Sequence, residues 1–152
     1  MKRHRMLVLL SAAMLAAGGT QAATAGGNHD NCMSVSGAAF GQNLGGGHTM
    51  GTIVHAGMFN GTTEAQLTIT GGHPPIVTFT GTGTLTNNHG TITLIPTGTL
   101  NQVTGEFQAT AQITGGTGLF AHATGSLTIT GIEQLPSGSF SQTFTGTVCL
   151  AH

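Results

Sequence analysis

The sequence predicts an all-β protein: a single antiparallel barrel of about eight strands (eight to ten turn-bounded segments) behind a short N-terminal export helix. Three observations carry that expectation. Apolar and polar residues alternate with a period of two, as in strands with one buried face. Clusters of Gly, Pro and Asn break the alternation at regular intervals. Finally, 26 Gly and 27 Thr make up about a third of the 152 residues, with no Trp and no Tyr. Thr favours pleated surfaces and shows its hydroxyl to water, while Gly provides small inward positions. The length suits one domain.

The chain opens with Lys2, Arg3, His4 and Arg5, followed by the apolar run Met6 to Ala17 and the small residues Ala23-Thr24-Ala25. This order is that of a secretory signal peptide, and the run is too short for the ~20 apolar residues of a spanning helix. Cleavage is expected after Ala25, with Ala22 or Ala23 as alternatives. The expected organisation is therefore residues 1–25 as signal peptide, 26–47 as a flexible segment with the first strand, and 48–152 as the barrel. Within the second piece, residues 41–47 (Gly-Gln-Asn-Leu-Gly-Gly-Gly) read as a flexible loop.

The strands follow in order. Residues 64–70 set Ala65, Leu67 and Ile69 against Glu64, Gln66, Thr68 and Thr70. Residues 77–86 set Val77, Phe79, Gly81, Gly83 and Leu85 against five Thr. Residues 103–113 set Val103, Gly105, Phe107, Ala109, Ala111 and Ile113 against Thr104, Glu106, Gln108, Thr110 and Gln112. Residues 139–148 put Phe140, Phe144, Gly146 and Val148 on one face. Turn chemistry falls at Asn60-Gly61, Gly71 to Pro75, Asn87 to Gly90, Gly115-Gly116 and Pro136 to Gly138. Inward Gly suits a tightly curved sheet, and closure into a barrel removes exposed edges; a sandwich is the alternative. Val77, Phe79, Val103, Phe107, Ile113, Phe140, Phe144 and Val148 are the expected barrel interior.

Cys32 and Cys149 lie near the two ends of the exported chain. An even pair in an oxidising compartment reads as a disulfide, which requires the first and last strands to be neighbours; two free thiols are the alternative.

Charge excludes several functions. After residue 5 there is no Lys or Arg, so the exported chain has four acids (Asp30, Glu64, Glu106 and Glu133) and no permanent cation. Nothing can neutralise phosphates or anionic lipid, so neither nucleic acid nor, after cleavage of the signal, a membrane is an expected partner. No Lys is available for a Schiff base and no Gly-x-Ser-x-Gly elbow is present. Glu64 and Glu106 fall on polar strand faces and Glu133 reads as part of a turn before Pro136, so all three are expected in solvent. Seven His follow the signal (His29, His48, His55, His73, His89, His122 and His152), but none share the close spacing of metal ligands. Neither a metal nor an organic cofactor is expected. These His alone can turn cationic, so net charge moves from negative toward positive between about pH 7 and pH 5.

Residues 113–125 read Ile-Thr-Gly-Gly-Thr-Gly-Leu-Phe-Ala-His-Ala-Thr-Gly. This resembles the Gly-Gly-Thr-Gly-x-Phe-x-Gly-Ala-x-Gly segment of the allene oxide cyclase and dirigent barrel superfamily, especially its small secreted bacterial members. Gly115, Gly116, Thr117, Gly118, Phe120, Ala123 and Gly125 carry the match. His122 departs from it, standing where the family usually has Gly, so a wider local turn is expected. His55 to Gly61 resembles the family's His-x-Gly-x-Phe-x-Gly strand. Asn88 to Ile92, Thr104 to Phe107 and Gly146 to Val148 add shorter likenesses, so the resemblance spans about residues 48–150. It implies an eight-stranded antiparallel barrel, often trimeric in plant members. It also implies cofactor-free chemistry: cyclising a fatty-acid epoxide, or orienting phenoxy radicals. The radical role would want inward Asp and Tyr, which this chain does not supply.

The resulting expectation is a secreted or periplasmic β-barrel that acts as a binding or scaffold protein, with a small hydrophobic ligand and self-association as dimer or trimer. The alternative is a cofactor-free isomerase or cyclase for a hydrophobic substrate. A wide cavity with an inward Glu or His would favour the enzyme, and a core filled by Phe and Leu the binding or structural role. The Thr-x-Thr runs raise a third class, a Thr-rich surface array that binds ice or builds structure.

Overall fold

A computed structural model of the chain describes residues 31–151, so the expected signal peptide lies outside the described residues. Eight strands follow one another: β1 (Asn31–Gly45), β2 (His48–Val54), β3 (Gly61–His73), β4 (Ile76–Asn87), β5 (Gly90–Asn101), β6 (Glu106–Gly116), β7 (Thr124–Gln134) and β8 (Ser139–Leu150). Each pairs antiparallel with its neighbours in sequence, and β8 returns to β1, closing the barrel. Among the described residues the only helical turns are two 3-10 segments, Gly57–Phe59 and Gly118–Phe120.

The closing seam is the β1–β8 ladder, which runs from Asn31↔Leu150 to Gln42↔Ser139. Cys32 and Cys149 are register partners in it, and their sulfurs are bonded. The barrel thus begins at Asn31 rather than at residue 48. Residues 41–45 are strand, not flexible loop: Gly41 pairs with Gly51 on β2 and with Phe140 on β8. A Gly-rich run reads as loop by composition. Here Gly41 is needed because a Cβ would meet Met50 O at 2.1 Å and Phe140 Cζ at 2.4 Å.

The same logic recurs round the wall. All four inward-facing strand Phe residues have a Gly as register partner: Phe79↔Gly98, Phe107↔Gly131, Phe140↔Gly41 and Phe144↔Gly37. In the last three pairs the missing side chain leaves room for the ring, which covers a position that would otherwise weaken the strand.

One expected interior residue is corrected. Val103 is 76% exposed and sits in the turn between β5 and β6. The apolar–polar alternation runs past the strand end by accident of composition. Asn101 Oδ1 accepts the backbone N–H of Val103 and of Thr104, and Gly105 N–H donates to Asn101 O, so these residues form a side-chain-capped turn.

The packed core lies at the end of the barrel where β1 begins and β8 ends, which also carries the longer loops. Phe59 and Phe120, from the two 3-10 turns, stack with centroids 5.6 Å apart. Val148, Ile113, Ile92 and Leu85 surround them. His55 to Asn60 is therefore a loop that helps close the barrel, not a strand as the resemblance implied. The opposite end has shorter turns at residues 46–47, 74–75, 102–105 and 135–138, with no aromatic pair across it.

Candidate functional site: the barrel cavity and its mouth

Between the aromatic floor and the short-turn end is a cavity of about 580 Å³. Inward positions on several strands around it are small. Ala65, Gly83 and Ala109 face it from β3, β4 and β6, where larger side chains would fill the axis. Its volume falls in the ~300–1,000 Å³ range of small-molecule sites, and its wall is mainly apolar, as such sites are.

Six of the eight expected interior residues border the cavity: Phe79, Phe107, Ile113, Phe140, Phe144 and Val148. Val77 is buried on the inward face of β4 but does not border the cavity. Val103, in its turn, faces neither.

The three acids divide. Glu64 and Glu106 are exposed on the outer wall, as their strand phase requires. Glu64 Oε1 lies 2.6 Å from His48 Nε2 across the β2–β3 pair. Glu133 is not in a turn. It is an inward residue of β7, paired with Phe140, half-buried, and it borders the cavity near the mouth. Pro136 suggests a turn beginning at Glu133, yet the β7–β8 turn takes only residues 135–138. Glu133 N–H donates to Gly105 O and keeps the strand going.

Asn43 from β1 completes this polar corner. Asn43 Oδ1 accepts the N–H of Gly45 at 2.9 Å, which orients the amide. Its Nδ2 then donates to Glu133 Oε1 at 3.0 Å. No donor among the described residues meets Glu133 Oε2, the second carboxylate oxygen. Gln142 adds an amide to the wall deeper in, two residues below Phe140 on the inward face of β8. Sequence reasoning missed Asn43 because it lies in the Gly-rich stretch. Its inward phase shows only once that stretch is recognised as strand.

The residues that carry the superfamily resemblance build the closed end. Gly118 has φ +62, and a Cβ there would meet His89 O at 2.3 Å. Thr117 Oγ1 accepts the N–H of Thr91, tying the β6–β7 connection to β5. Phe120 and Ala123 are fully buried. Gly115 and Gly116 end β6, and Gly125 lies near the start of β7. His122 has φ +61, so the chain keeps a glycine-like backbone there although it carries a side chain. His122 is exposed and lines a cleft with Met58, Leu119 and Leu150.

The Thr runs lie on the outer wall. Thr68, Thr80, Thr97, Thr110, Thr128 and Thr145 are successive register partners across six strands, ending beside Ser36. Thr80 and Thr97 hydroxyls approach to 3.3 Å within that row. The row winds around a closed, curved surface. Among the described residues no three His, Cys, Asp or Glu gather closely enough to hold a metal ion, and no helix is long and apolar enough to cross a membrane.

No protein-family model matches the chain, and neither a curated protein nor a solved structure does.

Proposed function

We propose that the protein is an exported binding protein that holds a small hydrophobic molecule inside its barrel. The observation that carries this reading is the apolar cavity of about 580 Å³, closed at one end by Phe59 and Phe120 and reached from the other. A domain of this size stabilised only by burial would gain from filling that space, because cavities forfeit packing contacts. The residues instead keep it open, with Ala and Gly facing it from three strands, β3, β4 and β6. Export to an oxidising compartment, outside the cytoplasm or in a periplasm, fits both the signal-like N-terminus and the Cys32–Cys149 bond.

The test uses the exported protein. Native mass spectrometry reports retained ligand, subunit number and the disulfide together, and calorimetric titration with decanol measures occupancy of the cavity. Saturable one-to-one binding that is lost in Ala65→Phe supports the reading. Absence of binding, or binding unchanged by the filled cavity, overturns it.

Glu133 favours a second reading, a cofactor-free isomerase or cyclase like those of the allene oxide cyclase and dirigent superfamily that residues 113–125 resemble. A carboxylate at an apolar cavity can act as a general base or acid. Acid–base isomerisation usually needs a second titratable group facing the same substrate, and among the described residues Glu133 is the only one bordering this cavity. For that reason holding a ligand, rather than converting it, is the preferred reading. Turnover of a lipid epoxide, abolished in Glu133→Gln, would reverse the preference.

A further inference from the structure

The mouth of the cavity carries charge of one sign. Glu133 borders it from β7, and its Oε1 is held by the Asn43 amide. Asn43 Oδ1 is already committed to the Gly45 N–H, so Glu133 Oε2 is the acceptor this pair offers an incoming molecule, and Thr49 and Gln142 add only neutral groups to the wall. No cation faces it. Among the residues packed round Glu133 are Phe140 on β8 and the Gly105 backbone. The chain has no Lys or Arg after residue 5, and His48 is engaged with Glu64 on the outer wall.

We infer that the cavity chooses its ligand by head group, taking an apolar body with a positively charged, hydrogen-bond-donating head and rejecting the same body with an anionic head. The inference rests on the ligand-holding reading and specifies what is held. An alkylammonium head at the mouth would donate to Glu133 Oε2 while its tail lies along the apolar wall. A carboxylate head there would meet Glu133 with no counter-charge. Charge–charge interactions beside an apolar cavity are stronger than in open water. From Glu133 to Leu127, both bordering the cavity, β7 runs six residues, roughly 20 Å of strand. A ten-carbon tail fits within that length.

The test is titration of the protein, at about 0.15 M salt, with decylammonium, decanol and decanoate. The three are ten-carbon chains that differ in the head group, the carboxylate carbon being the tenth carbon of decanoate. Decylammonium is expected to bind at least tenfold more tightly than decanoate, with decanol between them. Glu133→Gln is expected to bring the three together. Glu64→Gln, which removes the same charge from the outer wall, is expected to leave the order intact. Equal affinities in the unmodified protein, or a preference for decanoate, overturn the inference while the cavity reading survives. So does a preference that persists in Glu133→Gln or disappears in Glu64→Gln. If none of the three binds, both fall. The comparison of heads on the unmodified protein decides the matter even if Glu133→Gln does not fold.

Discussion

Gly37 faces Phe144 across the seam that closes the barrel, and a Cβ on Gly37 would come within 2.7 Å of the Phe144 ring. The same added atom would lie 2.8 Å from Ala56 Cβ and 3.0 Å from Val54 O. Ring and glycine are one unit: the ring occupies the space that the missing side chain leaves.

Gly37→Ala should therefore destabilise the fold by overpacking, by roughly 1–3 kcal/mol. Denaturant unfolding measures it. Combining Gly37→Ala with Phe144→Leu should recover part of the loss, since the smaller side chain yields the space. Purely additive losses would show that the two positions are not coupled.

Removing the disulfide with Cys32→Ser and Cys149→Ser should lower stability by about 2–5 kcal/mol, because the bond closes a loop of more than a hundred residues in the unfolded chain. The β1–β8 ladder extends well beyond the bond, so the circular dichroism of the folded protein should not change. Loss of β signal in the double variant would mean that the seam depends on sulfur alone.

Phe120→Ala should cost roughly 3–5 kcal/mol, the range for truncating a buried Phe. Phe120 is fully buried and stacks on Phe59 at the floor. A loss below about 1 kcal/mol would show that the loops, rather than the aromatic pair, close this end.

His122→Gly should be neutral or stabilising, by up to about 1 kcal/mol. The left-handed backbone at φ +61 is costly for a side chain and free for glycine, while glycine's greater freedom in the unfolded chain offsets part of the gain. His122→Val should destabilise, because a β-branched residue tolerates this conformation worst. Thermal unfolding of the two variants decides it. A His122→Gly protein clearly less stable than the parent would show that the imidazole makes contacts worth more than the strain.

Much of the strand pattern was legible from the sequence because alternation is a local property of a pleated chain. Phe79, Phe107, Phe140 and Phe144 sit inward because each lies in phase with Gly, Val or Ala two residues away. The outward Thr faces were legible on the same ground. Alternation failed at Val103, where in-phase residues continue into a turn made by the Asn101 side chain. Composition failed at Gly41 to Gly45, where glycine makes room for Phe140 rather than freeing a loop. No sequence signal marked Glu133 as facing the cavity, since its role depends on where β7 ends and on Asn43, ninety residues away.

The sequence by itself determined an all-β chain with one oxidisable cysteine pair, hydroxyl-bearing outer faces and no Lys or Arg after residue 5. These follow from residue types and their spacing along one strand at a time. The closed barrel and the Cys32–Cys149 pair were expected from the sequence and are found; the tertiary structure alone decided the register of the seam, the hollow axis, and that one carboxylate of three turns inward. Register and closure are relations between distant strands, set by how large and missing side chains fit together across the wall, and no short window of sequence contains both partners.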